Sequence, residues 1–323
     1  MSLIDTVPPS VNSPAYFSNL ISAANHRIRS HVTPTRLIHD EEMGLWLKCE
    51  NEQNTGSFKW RGALSKLSTL TPGEEIITAS TGNHGLGVST AASLFGLKAK
   101  IFVPKNAVRQ KINKIRNTGA DVIEVDGDSL SAEIAGKTFA QDHHLTWVSP
   151  YNDELVIAGQ GTIGLELSET LTAIDRIYIT VGGGGLISGI ASWLRQHQPE
   201  IDIVGCQPIN SPEMYLSILS GQVVMAPDSL DTLSDGSAGP LEEDSITYPI
   251  CCALVDRFIL ITEDEIRDAI KQLYEKYGLK VEGAAGVAMA AAMKDEQRKK
   301  EDVSVVVLCG GNIDPIIWER VRT

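Results

Sequence analysis

Short β-branched runs, each followed by a stretch of helix length, recur along almost the whole chain. Ile76-Ile77-Thr78, Lys100-Ile101-Phe102-Val103 and Val122-Ile123-Glu124-Val125 alternate with Ala- and Leu-bearing segments such as Ser89 to Phe95, and with a basic stretch from Arg109 to Arg116. Each run plus the stretch after it has the length of one strand–helix unit. A second series follows at Arg176 to Val181, Ile201 to Val204 and Val303 to Leu308. These later runs are apolar on both parities, as strands covered on both faces require. Thr262-Glu263-Asp264-Glu265 reads as a capping box opening a helix towards Tyr277. The pattern predicts an open α/β fold with two parallel sheets, and 323 residues suit one large or two intimately joined domains.

Composition narrows the partners. Hydrophobic residues are 42% and charged residues 21% of the chain, an ordinary globular balance. With 41 acidic against 28 basic residues the net charge is −13, a field that repels nucleic acid and anionic membranes. Cys49, Cys206, Cys251, Cys252 and Cys309 are odd in number and irregular in spacing, which argues against a disulfide framework or a zinc site and for a reducing compartment. Met1 to Ser10 holds Asp5 and two prolines where a leader needs a basic start and an apolar run, and no apolar segment is long enough to span a bilayer. A cytoplasmic location is expected.

Open α/β sheets place ligands at the carboxyl ends of their strands. Three polar or glycine-rich loops follow strands here: Ala79 to Gly87, Gly182 to Gly185, and Cys309 to Asn312. Gly182-Gly183-Gly184-Gly185 lies between Tyr178-Ile179-Thr180-Val181 and the helical Leu186 to Leu194. Four glycines let bare backbone N–H groups approach an anion closely, and the helix that follows adds its positive end. The competing reading, a flexible turn, explains one glycine better than four.

The remaining motifs are weaker one by one. Lys59 stands among aromatic neighbours in Ser57-Phe58-Lys59-Trp60-Arg61-Gly62-Ala63. Such shielding disfavours the ammonium form and makes an amine nucleophilic, although an exposed helical lysine is the commoner case. Ser80-Thr81-Gly82-Asn83-His84-Gly85 offers hydroxyls, an amide and backbone N–H groups to a carboxylate, and its Ser and Thr equally suit a helix N-cap. Cys309 could face a heteroaromatic nitrogen or simply be a buried thiol. Gly159-Gln160-Gly161-Thr162-Ile163-Gly164 matches a dinucleotide fingerprint in letters only, because no buried strand precedes it and the acidic residue expected later falls in the glycine loop. No nucleophile elbow, Walker lysine or HExxH is present, and His143-His144 cannot share a metal.

Together these segments resemble the threonine dehydratase and serine racemase group of fold type II (tryptophan synthase β-like) pyridoxal phosphate enzymes. The resemblance runs from Thr33-Pro34-Thr35 to Cys309-Gly310-Gly311-Asn312. It is most specific in Gly56 to Ala63, in the STGNHG loop, in Ile157 to Thr162 and in the four glycines. It implies that Lys59 carries the cofactor as a Schiff base and moves the substrate α-proton. It implies that Phe58 packs on the cofactor ring, Asn83 meets the ring hydroxyl, and Gly182 to Gly185 with Leu186 hold the phosphate. Cys309 then faces the pyridine nitrogen, Ser80, Thr81 and His84 take the substrate carboxylate, and Glu282 lies near the site.

The resemblance also implies the activity: α,β-elimination from L-threonine or L-serine, giving a 2-oxo acid and ammonia, in a homodimer. A neutral thiol at the ring nitrogen favours loss of the β-hydroxyl over other fates. Thr81 stands where threonine dehydratases usually have Ala and serine racemases Ser, so racemase activity or dehydration of another β-hydroxy amino acid, such as hydroxyaspartate, stays open. A non-catalytic cofactor-binding or regulatory protein is the reading from another class. The family's divalent-metal site begins with Glu where this chain has Gln207. Ser211 and Glu213 follow at suitable offsets, one carboxylate short of the usual set. The family's fold implies a large cofactor-binding domain from residues 1–74 and 150–323 and a small mobile domain from 75–149 carrying the asparagine loop. No regulatory domain is expected after Asn312.

Overall fold

A computed structural model describes residues 13–224 and 229–322. The stretch read above for a leader lies outside them. In chain order the elements are α1 (Pro14–Ile28), β1 (Leu37–Asp40), β2 (Leu45–Lys48), α2 (Lys59–Leu67), β3 (Glu75–Ala79), α3 (Asn83–Leu94), β4 (Lys98–Pro104), α4 (Arg109–Arg116), β5 (Asp121–Val125), α5 (Ser129–Asp142) and β6 (Thr146–Trp147). They continue with α6 (Glu154–Thr170), β7 (Arg176–Thr180), α7 (Gly185–His197), β8 (Asp202–Pro208), α8 (Glu213–Ser220), α9 (Thr247–Leu254), β9 (Arg257–Ile261), α10 (Glu263–Tyr277), α11 (Gly283–Lys294), β10 (Ser304–Val307) and α12 (Pro315–Arg322).

Two sheets result, in the orders β1-β2-β10-β7-β8-β9 and β5-β4-β3-β6. The four-stranded sheet is wholly parallel. The larger sheet is parallel from β2 to β9, as expected, and adds one antiparallel edge strand, β1, paired with β2. The two strands are separated by only four residues, too few for a crossover, and a hairpin is the connection that length allows.

Strand periodicity divides the smaller sheet's side chains between two cores. Ile76 and Ile101 pack with Trp60, Leu64 and Val88 on one face, while Ile77 and Phe102 pack with Ala132 and Ala140 of α5 on the other. Burying each isoleucine, leucine, valine or phenylalanine among them contributes about 1.5–3 kcal/mol. Helix α2 therefore covers one face of the smaller sheet, and it is also bound to the larger sheet's layer by a buried charge network. Arg61 donates to Glu50 at 2.8 Å and to Glu166 at 2.7 and 2.9 Å, and Lys48 pairs with Glu166 at 2.8 Å. Two cations meet two carboxylates there, so no buried charge is left uncompensated.

The capping box at Thr262 and Glu265 is formed, and its helix ends at Tyr277. The nucleotide-like glycines lie inside α6. A Cβ on Gly159 would sit 2.4 Å from the Arg61 carbonyl oxygen, and one on Gly189 of α7 would sit 2.3 Å from that of Ile157. These glycines let three helices touch backbone to backbone, which is packing and not phosphate binding.

Candidate active site

The loops after β3, β7 and β10 meet at one place. A cavity of about 340 Å³ is lined by Phe58, Lys59, Ser80 to His84, Glu282 and Cys309 among others, and it adjoins a smaller recess walled by Gly182 to Leu186, Tyr151 and Ser237. Every residue assigned above to the cofactor or substrate borders one of these two spaces.

Lys59 reaches the centre because of its neighbours in sequence. The segment before it is stitched to the end of β10: Phe58 N–H donates to the Cys309 carbonyl at 3.0 Å, and Gly311 N–H to that of Gly56 at 2.9 Å. Helix α2 then starts at Lys59, whose amine lies 5.1 Å from the centre of the Phe58 ring and donates to the Pro150 carbonyl at 2.8 Å. The side chain is half-buried. Desolvation pushes its pKa down to about 8, against the opposing pull of Cys309 and Glu282. Burial pushes the Cys309 thiol well up, with Glu282 adding to the rise, so this sulfur presents a neutral S–H.

The glycine loop is cut to fit its surroundings. A Cβ on Gly183 would lie 2.3 Å from the Tyr151 ring, and one on Gly182 would lie 2.8 Å from the Ser237 carbonyl. Gly184 has φ +84°, a left-handed conformation that costs other residues about 1–2 kcal/mol. Thr247 Oγ1 donates to the Gly183 carbonyl at 2.6 Å. Helix α7 begins at Gly185 with no side-chain cap. Bare N–H groups and a helix amino end thus face a recess with room for a small anion, and an aldehyde-bearing phosphate ester fits these residues.

The asparagine loop differs in detail from expectation. Neither Ser80 nor Thr81 caps α3. Gly82 is the N-cap, and Ser80 Oγ instead accepts from Gly82 N–H at 3.1 Å. The uncapped first turn lies at the cavity wall, where its partial positive charge suits a carboxylate. Asn83 Nδ2 donates to both Glu282 oxygens at 2.8 and 2.9 Å, while Asn83 Oδ1 accepts from Asn312 Nδ2 at 2.7 Å. Glu282 overlies Gly310, where a Cβ would come within 2.2 Å of its carboxylate. Its pKa rises to about 7, chiefly from burial. His84 lines the cavity, but its Nε2 is already engaged with Thr78 Oγ1 at 2.9 Å and the Val148 carbonyl at 3.0 Å, and desolvation lowers its pKa to about 3. What it has left to offer a carboxylate is its backbone N–H.

Tyr151, Ser237, Thr247, Asn312 and Pro150 were not assigned from sequence. Only Asn312 carried a signal, standing in the quoted CGGN. The others sit far along the chain, and only the fold brings them to the glycines.

Gln207, Ser211 and Glu213 lie behind the glycine loop, all fully buried. Their donor set is one carboxylate already bound by two hydroxyls, plus an amide whose oxygen accepts from Tyr215 N–H at 2.8 Å. With one carboxylate oxygen left over and the amide oxygen already taken, these side chains suit a divalent cation poorly, since it takes six or more oxygens with carboxylates among them.

A shielded lysine, a run of bare glycine N–H groups and a neutral thiol thus lie together between two α/β sheets, a set suited to an aldehyde cofactor that carries a phosphate. The chain belongs to the pyridoxal-phosphate dependent enzyme family, whose sequence model matches residues 28–310. It is 39% identical over 306 residues to an L-threonine ammonia-lyase of Geobacter sulfurreducens, covering 91% of this chain and 75% of the relative. It is 34% identical over 306 residues to a serine racemase of Dictyostelium discoideum, covering 91% and 94%. The processed threonine deaminase isoform 2 of Solanum lycopersicum superposes with a TM-score of 0.89 at 30% identity, over 95% of this chain and 87% of that one.

Proposed function

We propose that this protein is a pyridoxal phosphate-dependent ammonia-lyase that converts L-threonine or L-serine to a 2-oxo acid and ammonia. The observation that carries the reading is the Lys59 amine, depressed to about pKa 8, in the cavity shared by the asparagine loop and Cys309, beside the four glycines. When bound, pyridoxal phosphate supplies an electron sink that acidifies the amino acid's α-proton and lets the β-hydroxyl leave. Lys59 holds the cofactor and carries that proton to and from the α-carbon. The glycine loop with Leu186 anchors the phosphate, and Phe58 packs on the ring. Cys309 meets the ring nitrogen without a charge, and Asn83 meets the ring hydroxyl. Ser80, Thr81 and the backbone at His84 orient the substrate carboxylate at the amino end of α3, and Glu282 fixes Asn83.

The smaller unit, residues 75–149, closes on the larger one, 1–74 with 150–323, and excludes water during turnover. A cytoplasmic homodimer completes the proposal, in keeping with thiols that are all free.

A second reading has its own support. The Thr81 hydroxyl borders the same cavity as Lys59, where it can serve the opposite face of the α-carbon and invert it. A panel of serine, threonine and hydroxyaspartate stereoisomers, scored for 2-oxo acid and for inversion with wild type and Thr81→Ala, tests both readings. The expected result is 2-oxo acid from L-threonine and L-serine by both proteins, with any inversion lost in the variant. A wild type that releases no 2-oxo acid overturns the lyase assignment.

A further inference from the structure

We infer that the buried pocket of Gln207, Ser211 and Glu213 is closed by neutral hydrogen-bond donors, and that it orders the cofactor loop without a divalent cation. Glu213 opens α8 and is 1% exposed. Its Oε1 accepts from Ser211 Oγ and, at 2.7 Å, from Ser229 Oγ, while its Oε2 has no hydrogen-bond partner among the described residues. Gln207, at the end of β8, substitutes for a helix cap: Pro212 gives α8 none, and Gln207 Oε1 accepts from Tyr215 N–H at 2.8 Å. An N–H requires an acceptor, so the amide oxygen is fixed there and the NH₂ faces the other way. That buried Nε2 also has no hydrogen-bond partner among the described residues.

Among the described residues one buried donor and one buried acceptor are thus left without a partner on these side chains. Buried water suits groups of either kind, since such waters make two to four hydrogen bonds as donor and acceptor. A divalent cation would satisfy only the carboxylate and would be opposed by the amide hydrogens. Because Gln207 carries an amide, Glu213 is the one acidic side chain of the three, and two hydroxyls already donate to its Oε1.

The pocket bears on the active site through the chain it holds. Leu230 N–H donates to the Asn210 carbonyl at 2.8 Å, Asn210 Nδ2 to that of Asp231 at 2.7 Å, and Gly239 N–H to Ser211 Oγ at 3.3 Å. The tethered segment carries Asp235 and Gly236 to the cavity and Ser237 to the adjoining recess, against Gly182. Met214, next to Glu213, packs beneath Gly184. Hydroxyls and an amide therefore support the phosphate cradle from behind.

The charge count also says what would create a cation requirement. Gln207→Glu places a second carboxylate in the pocket, and two buried like charges need a counter-ion. The test compares thermal unfolding and cofactor affinity of wild-type and Gln207→Glu holoenzyme in EDTA and in millimolar magnesium or calcium. Wild type is expected to give the same Tm and cofactor affinity in all three, and Gln207→Glu to lose Tm in EDTA and recover it with a cation. A wild-type Tm or cofactor affinity that falls in EDTA and returns with the metal overturns the inference, as does a folded Gln207→Glu protein indifferent to cations. If that variant does not fold, the calcium content of wild type after equilibrium dialysis decides: substoichiometric metal supports the inference, and one ion per chain refutes it.

Discussion

The Lys59 amine and the Pro150 carbonyl are joined by a 2.8 Å hydrogen bond that crosses from the helix bearing the lysine to the chain just past the last strand of the smaller sheet. The carbonyl accepts from the amine whether or not it is protonated, and burial, opposed by Cys309 and Glu282, brings the neutral form within reach. With the pKa near 8, a substantial neutral fraction is present close to neutrality, where an exposed lysine has almost none.

Cofactor capture by the apoprotein should follow that titration. Its rate is expected to rise about tenfold per pH unit well below 8 and to flatten above it, since only the neutral amine attacks an aldehyde. His84 stays neutral across this range, with its pKa near 3, and adds no step. Stopped-flow absorbance across pH 6 to 10 reads the midpoint. A midpoint near the ordinary lysine value of 10.5 would contradict the account.

The glycine loop should fail by collision. Gly183→Ala drives a methyl group into the Tyr151 ring, and overpacking of this kind costs about 1–3 kcal/mol. Cofactor affinity is expected to fall at least tenfold, about 1.4 kcal/mol, with little change in secondary structure. Equilibrium titration of the apoprotein measures it, and unchanged affinity would dissociate the loop from the phosphate.

How much of this was legible in the sequence varies with the kind of residue. The parallel strands of the smaller sheet could be read because Ile76 and Ile77, or Ile101 and Phe102, serve opposite faces and both faces are buried. The four glycines could be read because tight backbone approach leaves a mark in composition. The antiparallel β1–β2 edge could not, since its two four-residue strands carry His39, Asp40 and Lys48 and lack a continuous apolar run. The true N-cap of α3 was hidden by two better capping residues just before Gly82. Tyr151, Ser237 and Thr247 were invisible because their roles come from contacts with glycines, which leave no matching pattern in the partner.

Glu282 gives a stability signature with a definite sign. Its pKa rises from the usual 4.5 to about 7 in the folded protein, so its contribution to stability is full below about 4.5 and is lost as pH rises through 7. Glu282→Gln removes that dependence. The variant's Tm minus that of wild type is expected to be higher at pH 8.5 than at pH 5, by about 2 °C or more. Differential scanning calorimetry across that window checks it, and a difference moving the opposite way would mean the carboxylate is favoured as an anion.

The most direct measurement is borohydride reduction of the purified, cofactor-loaded protein, followed by mapping of the labelled peptide, in wild type and Lys59→Ala. The account predicts a yellow protein that bleaches on reduction, a pyridoxyl group fixed at Lys59, and a folded but inactive, unlabelled variant. A label on any other lysine, or a Lys59→Ala protein that still turns over L-threonine, would contradict it.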